Sequence, residues 1–331
     1  MKGTRSPGFT RTRPLESNQT ERADILSALS GSPRRIPSRF FYDRHGSELF
    51  EAITRTEAYY PTRVEMGILH THAATLARHM GAYARIVEFG TGSGAKTQIL
   101  LTAADRPALY IPIDVACAQL HAVAADLRAR YAGLAVQPVC ADYTQRIDVP
   151  APDVGLGRTV VFFPGSTIGN MEPHEALRFL RRLGPVLGDD GLLIIGVDRK
   201  KDRHTVELAY NDPQGITAAF NLNILTHVNR ILGSNFDGTA FRHHAFYNSA
   251  AGRIEMHLIS QRAQTVGIPD AWTGAGALEL QADEPIVTEH SYKYDLEEFQ
   301  HLASAAGLTP IDVLTDAGQR FAVHLLAQGG Y

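Results

Sequence analysis

The sequence predicts an α/β chain: a doubly wound parallel sheet with helices on both faces, joined to a second, α+β unit. Three observations predict it. Residues 86–97 read IVEFGTGSGAKT, a short apolar run closed by Glu88, then Gly90, Gly92 and Gly94, then a helix start; this is how a nucleotide-binding strand, turn and helix is spelled. From there to Asp198 apolar runs alternate with helical patterns, which implies parallel strands linked by crossover helices. After Asp198 the alternation stops and strand-like stretches dominate from Phe241 to Lys293, so this half and the N-terminal helices are expected to form a separate unit.

Composition narrows the function classes. With 331 residues, 44% hydrophobic and 20% charged, the chain has ample material for a core. A formal net charge of -3 gives no electrostatic reason to expect a nucleic-acid partner, and a small ligand is the better expectation. Cys117 and Cys140 fall in predicted core elements without paired spacing, which argues against a disulfide framework or a zinc site and suits a reducing cytoplasm. No apolar stretch approaches the ~20 residues that span a bilayer, and the N-terminus lacks the apolar centre of a signal peptide. The expectation is a soluble, cytoplasmic monomer with no membrane partner.

In chain order, residues 1–20 carry Lys2, Arg5, Arg11 and Arg13 with little to bury and are expected to be a disordered tail. A helix over 21–30 stops at Gly31-Ser32-Pro33. Leu49, Phe50 and Ile53 mark one face of a helix that opens near Gly46. Pro61 restricts the residue before it, so Tyr59-Tyr60-Pro61-Thr62-Arg63 should interrupt helical patterning, with a helix resuming over 64–80. Strands follow at 86–89, 109–114, 134–140, 159–163 and 192–197, each an apolar run of strand length. Beyond Asp198 come helices at 204–210 and 215–232, strands at 253–259 and 286–292, and a helix at 296–306. Residues 309–316 and 320–327 read as a hairpin around Ala317-Gly318. His243-His244 and His70-x-His72 lack a third ligand at matching spacing, so no metal site is expected.

The glycine turn admits three ligands. A dinucleotide fingerprint wants its third glycine one residue later than Gly94. A phosphate loop fits from Gly90 through Lys96-Thr97 except that Ala95 replaces the last glycine; Asp198, at a strand end, would then be the magnesium acid of a nucleotide hydrolase. S-adenosylmethionine has no phosphate and needs only close backbone approach and carboxylates for its hydroxyls and charged groups, which Glu88-x-Gly90-x-Gly92 supplies best. Asp114 ends the second strand where a ribose-binding carboxylate is expected, and Asp142 beside Tyr143 suits an adenine amino group and ring face. Taken singly, Asp114 also suits a helix N-cap and Asp142 a turn.

Four dispersed motifs carry a more specific likeness: Phe41-Tyr42-Asp43 with Gly46-Ser47-Glu48-Leu49-Phe50, Glu57-Ala58-Tyr59-Tyr60-Pro61-Thr62-Arg63, and Gly165-Ser166-Thr167-Ile168-Gly169-Asn170. From about Ile36 to Ala327 the chain resembles the histidine Nα-methyltransferases of ergothioneine biosynthesis, which make the trimethylated betaine hercynine. The resemblance implies a Rossmann-like class I methyltransferase core at 64–199, and a substrate-binding domain from 21–63 plus 200–331. It also implies S-adenosylmethionine as methyl donor, S-adenosylhomocysteine as product and L-histidine as substrate. By motif, the donor falls to Gly90, Lys96, Asp114, Asp142 and Tyr143, joined by Glu88 and Gly92 of the turn. The amino-acid head group falls to Tyr59, Asn170 and Tyr210, with Tyr42 near the amine; Tyr42 and Asn170 are the candidate catalytic groups. The imidazole falls to Glu289 and Ser291, with Met256 lining the same pocket. The turn departs slightly from the family's usual Glu-Leu-Gly-Ser-Gly. Relatives act on tryptophan-derived and other amino acids, so a tryptophan-like substrate, a nucleotide hydrolase using Lys96 and Asp198, and a silent amino-acid sensor are the alternatives.

Overall fold

The structure is a computed structural model that describes residues 14–143, 149, 156–269 and 276–329; most of the expected tail, residues 1–13, lies outside the described residues. The central sheet is built from strands β1 (Arg85–Phe89), β2 (Leu109–Asp114), β3 (Ala135–Val136), β4 (Val139–Cys140), β5 (Thr159–Phe163) and β6 (Leu192–Asp198). These strands pair in parallel. The single strand expected over 134–140 is split at Gln137-Pro138, because proline has no N–H to give the ladder. Successive residues of β1, β5 and β6 enter opposite layers: Ile86, Val160 and Ile194 pack into one core, Val87, Val161 and Ile195 into the other. Strands buried on both faces in this way read as unbroken apolar runs.

The helices of this half are α3 (Tyr60–Thr71), α4 (Ala73–Met80), α5 (Ala95–Ala103), α6 (Cys117–Arg130) and α7 (Pro173–Leu187). The Tyr60-Pro61 segment opens α3 instead of interrupting a helix, since a first-turn proline lacks only an N–H that has no intrahelical partner anyway. Before them stand α1 (Pro14–Ser30), which begins inside the expected tail, and α2 (Arg44–Arg55). After β6 come α8 (Arg203–Tyr210), α9 (Ile216–Leu232) and a three-stranded antiparallel sheet in the order β11 (Pro285–Tyr292), β8 (Arg253–Ser260), β7 (Phe241–Asn248). A small ribbon pairs β9 (Gln264–Gly267) with β10 (Ala277–Leu280). Helix α10 (Leu296–Ala305) leads to β12 (Leu308–Thr315) and β13 (Phe321–Gln328).

The C-terminal hairpin β12–β13 does not sit with the three-stranded sheet. It lies antiparallel on β6 and extends the central sheet, whose order is β12-β13-β6-β5-β1-β2-β3 with β4 also on β2. The 3₁₀ turn Ser38–Phe41 packs on α9 through a stacked Phe41–Phe220 pair at 4.4 Å, while Asn223 of α9 donates to the α2 N-cap residue Asp43 at 2.8 Å. The two units meet tightly where the 3₁₀ turn Thr167–Asn170 crosses β11: a Cβ on Gly169 would stand 2.6 Å from the Tyr292 carbonyl oxygen.

Cys117 and Cys140, expected to be unpaired, are joined as a disulfide with 5.2 Å between their Cα atoms. The register explains it: β4 lies beside β2 with Cys140 opposite Asp114, and the chain turns into α6 at Cys117 only three residues later. Both residues are exposed, not core. Among the described residues no helix is long and apolar enough to cross a membrane.

Candidate active site

The strand order reverses at β1, which feeds β2 on one side and has β5 on the other. Ligands in open α/β sheets bind beyond the strand carboxyl ends at such a point, and a cavity of about 500 Å³ opens there. The turn after β1 needs its glycines: Gly90, Gly92 and Gly94 have φ of +76°, +53° and +74°, a region costly for residues with a Cβ. A Cβ on Gly92 would meet nothing within 4 Å, so bare backbone faces open space that a ligand can fill.

Acids ring this end. Asp114 accepts from the Gly92 N–H at 3.1 Å and from the Ala116 N–H at 2.9 Å, which ties the glycine turn to the end of β2. Asp142 follows β4 and lies 3.7 Å from Arg39; Tyr143 packs edge-on against Phe89 and Phe163. Glu88 is 1% exposed and accepts from the hydroxyls of Thr97, at 2.7 Å, and Tyr110, at 2.6 Å. Burial pushes its pKa up to about 8 against those two bonds, so it is a neutral clamp joining β1, α5 and β2.

Lys96, on the first turn of α5, is engaged by fully buried Glu65 of α3 at 2.5 Å, and Glu65 also accepts the Gly165 N–H. Gly196 on β6 makes room for that acid, since a Cβ there would lie 2.0 Å from Glu65 Oε1. Asp198 accepts from Tyr60 and ion-pairs with Lys201 at 2.6 Å and Lys293 at 3.0 Å. Although burial opposes ionisation, the two lysines hold its carboxyl below the usual range. A carboxylate already neutralised by two ammonium groups is a poor magnesium ligand, and a lysine committed to a buried glutamate is a poor phosphate clamp. With Asp114 and Asp142 also at the mouth, the site repels a polyphosphate and suits a ligand with hydroxyls and positive charge. These residues therefore fit S-adenosylmethionine and not a nucleoside triphosphate.

The opposite wall comes from scattered elements. Glu289 and Ser291 of β11 face the cavity, while Thr288 and His290 turn away, to Asn221 at 2.6 Å and Glu172 at 2.7 Å. Met256 on β8 stands opposite Glu289 and lines the same space. Burial raises the Glu289 carboxyl to about 7, with Lys293 favouring its ionised form. Tyr210, at the end of α8, donates to Ser291 Oγ at 2.8 Å. Tyr42, Phe50 and Tyr59 form a chain of edge-on rings 5.7–6.2 Å apart, with Phe220 against Tyr42 and Phe50. Asn170 closes the 3₁₀ turn beyond β5 and lines the cavity between the two walls.

Residues 21–328 match a family model described as histidine-specific methyltransferase, SAM-dependent. A histidine N-alpha-methyltransferase from Mycobacterium tuberculosis is 38% identical over 315 residues, 93% of this chain and 94% of its own. The chain belongs to this family. The protein of that name from Mycolicibacterium smegmatis is also 38% identical, over 92% of this chain and 94% of its own. Ergothioneine biosynthesis protein 1 of Neurospora crassa is 31% identical over 89% of this chain and 33% of its own length. The core is thus the α/β core of a SAM-dependent methyltransferase.

All the site residues expected from this methyltransferase's sequence border the one cavity. Glu88 differs in manner, since its carboxyl group is engaged by Thr97 and Tyr110. Three residues were not foreseen. Lys293 continues the alternation of Glu289 and Ser291, a period-2 signal that the sequence does show. Glu65 is an acid among the apolar positions Val64, Ile68 and Leu69 of α3, a second visible signal. Phe220 carries none, because only tertiary packing brings α9 beside Tyr42.

Proposed function

We propose that this enzyme transfers methyl groups from S-adenosylmethionine to the α-amine of L-histidine three times in succession, giving the betaine hercynine, a step of ergothioneine biosynthesis. The observation that carries the substrate is the pair Glu289 and Ser291 on one face of β11, next to Met256 in a cavity shared with the glycine turn. An imidazole offers two ring nitrogens, and this wall offers an acid and a hydroxyl. The names of the 38% identical relatives support the same reading.

The donor supplies a methyl group on a positively charged sulfur, bonded to a good leaving group. Gly90, Gly92, Asp114, Asp142 and Tyr143 would hold it, with Lys96 and Glu65 fixing the neighbouring Gly165 loop. Tyr59, Tyr210 and Asn170 hold the amino-acid head group and aim its nitrogen, so most of the rate enhancement is positional. The amine must be neutral to present a lone pair. Burial raises the pKa of Tyr42 and Tyr59 well above the usual phenol value, with Glu289 adding to both. Neither is a phenolate base at neutral pH; Tyr42 offers the amine an oxygen lone pair, and the proton passes to water. As methyls accumulate, N–H bonds are lost and the cation grows, and the faces of Tyr42, Phe50, Tyr59 and Phe220 favour it by about 0.5–2 kcal/mol each.

Incubation with S-adenosylmethionine and a panel of amino acids, followed by mass spectrometry, tests this reading. Mono-, di- and trimethylated L-histidine, modified only on the α-nitrogen, is the expected result. Ring methylation, or faster turnover of tryptophan than histidine, contradicts it.

A further inference from the structure

We propose that Lys293 is a positioning residue that fixes the Ser291 hydroxyl as a hydrogen-bond donor into the substrate pocket, and so helps to select imidazole over rings that carry only N–H groups. The inference rests on the histidine reading above.

Lys293 follows β11 directly, and its side chain is on the Glu289 and Ser291 side; the residue is 2% exposed. Its Nζ lies 2.7 Å from Ser291 Oγ, 3.1 Å from Tyr210 Oη and 3.0 Å from Asp198 Oδ2. An ammonium has three N–H donors and no acceptor, so these partners use all three donors and Ser291 must accept. Tyr210 also donates to Ser291 Oγ, at 2.8 Å. A hydroxyl oxygen has two lone pairs, and both are then taken. The only hydrogen-bonding capacity left to Ser291 is its own proton, which needs an acceptor outside this trio, and the cavity is where Ser291 is open.

The wall therefore presents one donor, Ser291, beside one acceptor, the Glu289 carboxyl, whose ionised form Lys293 favours. Neutral imidazole is complementary: its unprotonated nitrogen meets Ser291 and its N–H meets Glu289. Indole has an N–H and no ring acceptor, and phenyl has neither, so each leaves a buried proton unpaired, which is costly. Without Lys293 the serine recovers a lone pair and loses this polarity. Asp198 keeps Lys201 and Tyr60 as partners, so the fold retains a compensated acid.

The test is a double-mutant cycle in the full-length enzyme: Lys293→Met, Ser291→Ala and the pair, with steady-state kinetics on L-histidine at saturating donor and calorimetry with S-adenosylhomocysteine. Lys293→Met is expected to raise KM for histidine about tenfold and to change kcat less than about threefold. In the Ser291→Ala background the same substitution should change KM less than about twofold, and product affinity should stay at the wild-type value throughout. Equal KM increases in both backgrounds, or an unchanged KM in the first, overturn the proposal. If Lys293→Met loses product binding, Lys293→Gln carries the same cycle, and loss of product binding in both overturns the proposal by assigning Lys293 to the fold. Wild-type turnover of L-histidine checks the substrate reading separately: its absence overturns both, whereas turnover with additive variants overturns this proposal alone.

Discussion

The two walls of the cavity are built on different principles. The wall proposed to hold the donor is mainly backbone: a turn of three positive-φ glycines and acids at successive strand ends, within one stretch of sheet. The wall proposed to hold the amino acid is almost entirely side chain, assembled from α2 and α3 with the residues just before them, α8, α9, β8 and β11, which are far apart in sequence. Backbone recognition tolerates changes in side chains around it. Side-chain recognition concentrates specificity in a few groups, so single substitutions there should be the more selective and the more damaging.

The largest effect should come from the side-chain wall. Glu289→Ala removes the acid in a buried polar pocket, and sites that hydrogen-bond a substrate can lose up to about 10⁴-fold in discrimination when the match is broken. A fall in kcat/KM for L-histidine of at least about 10³-fold is expected, with a smaller preference over tryptophan. Steady-state kinetics on both amino acids would read it. Next comes the donor wall: Asp114→Ala should weaken S-adenosylhomocysteine binding by about 1.5–3 kcal/mol through lost charge-assisted bonds to ligand hydroxyls and a loosened Gly92. Calorimetry showing unchanged affinity would remove Asp114 from that wall.

Asn170 stands where the walls meet. Asn170→Ala should lower kcat/KM for every accepted amino acid about tenfold and alike; an effect confined to histidine would assign it to the ring pocket. The smallest effect concerns stability. The folded pKa of Glu88, about 8, exceeds its unfolded value near 4.5, so between those pH values the native state holds a proton that the unfolded chain has lost. Any stabilisation this provides is full below about pH 4.5 and fades as pH rises through about 8. Relative to the wild type, Glu88→Gln should therefore gain in Tm from pH 5 to pH 8, by roughly 2 °C or more, in thermal melts of the free enzyme.

The same contrast explains what could be read from the sequence. Glu88 to Thr97, Asp114 and Asp142 were legible because a glycine turn and strand-end acids are local patterns with fixed places in an α/β sheet. The amino-acid wall came only through resemblance, since no local spacing links Tyr42 to Glu289. Partnerships created by sheet register were the main losses: the β4 register that brings Cys140 to Cys117, and the pairing that carries the C-terminal hairpin onto β6. Both hairpin strands were visible as apolar runs, but their neighbour was not. Pro61 reads in sequence as a breaker, whereas the chain uses it to begin α3, and only the preceding backbone separates those outcomes.

The independence of the two walls is tested most directly by calorimetry on Glu289→Ala, titrated first with S-adenosylhomocysteine and then, once saturated, with L-histidine. We predict product affinity within about twofold of the wild type and histidine affinity reduced at least about 30-fold, as loss of a buried hydrogen-bond acceptor requires. Equal weakening of both ligands, or undiminished histidine binding, would contradict the account.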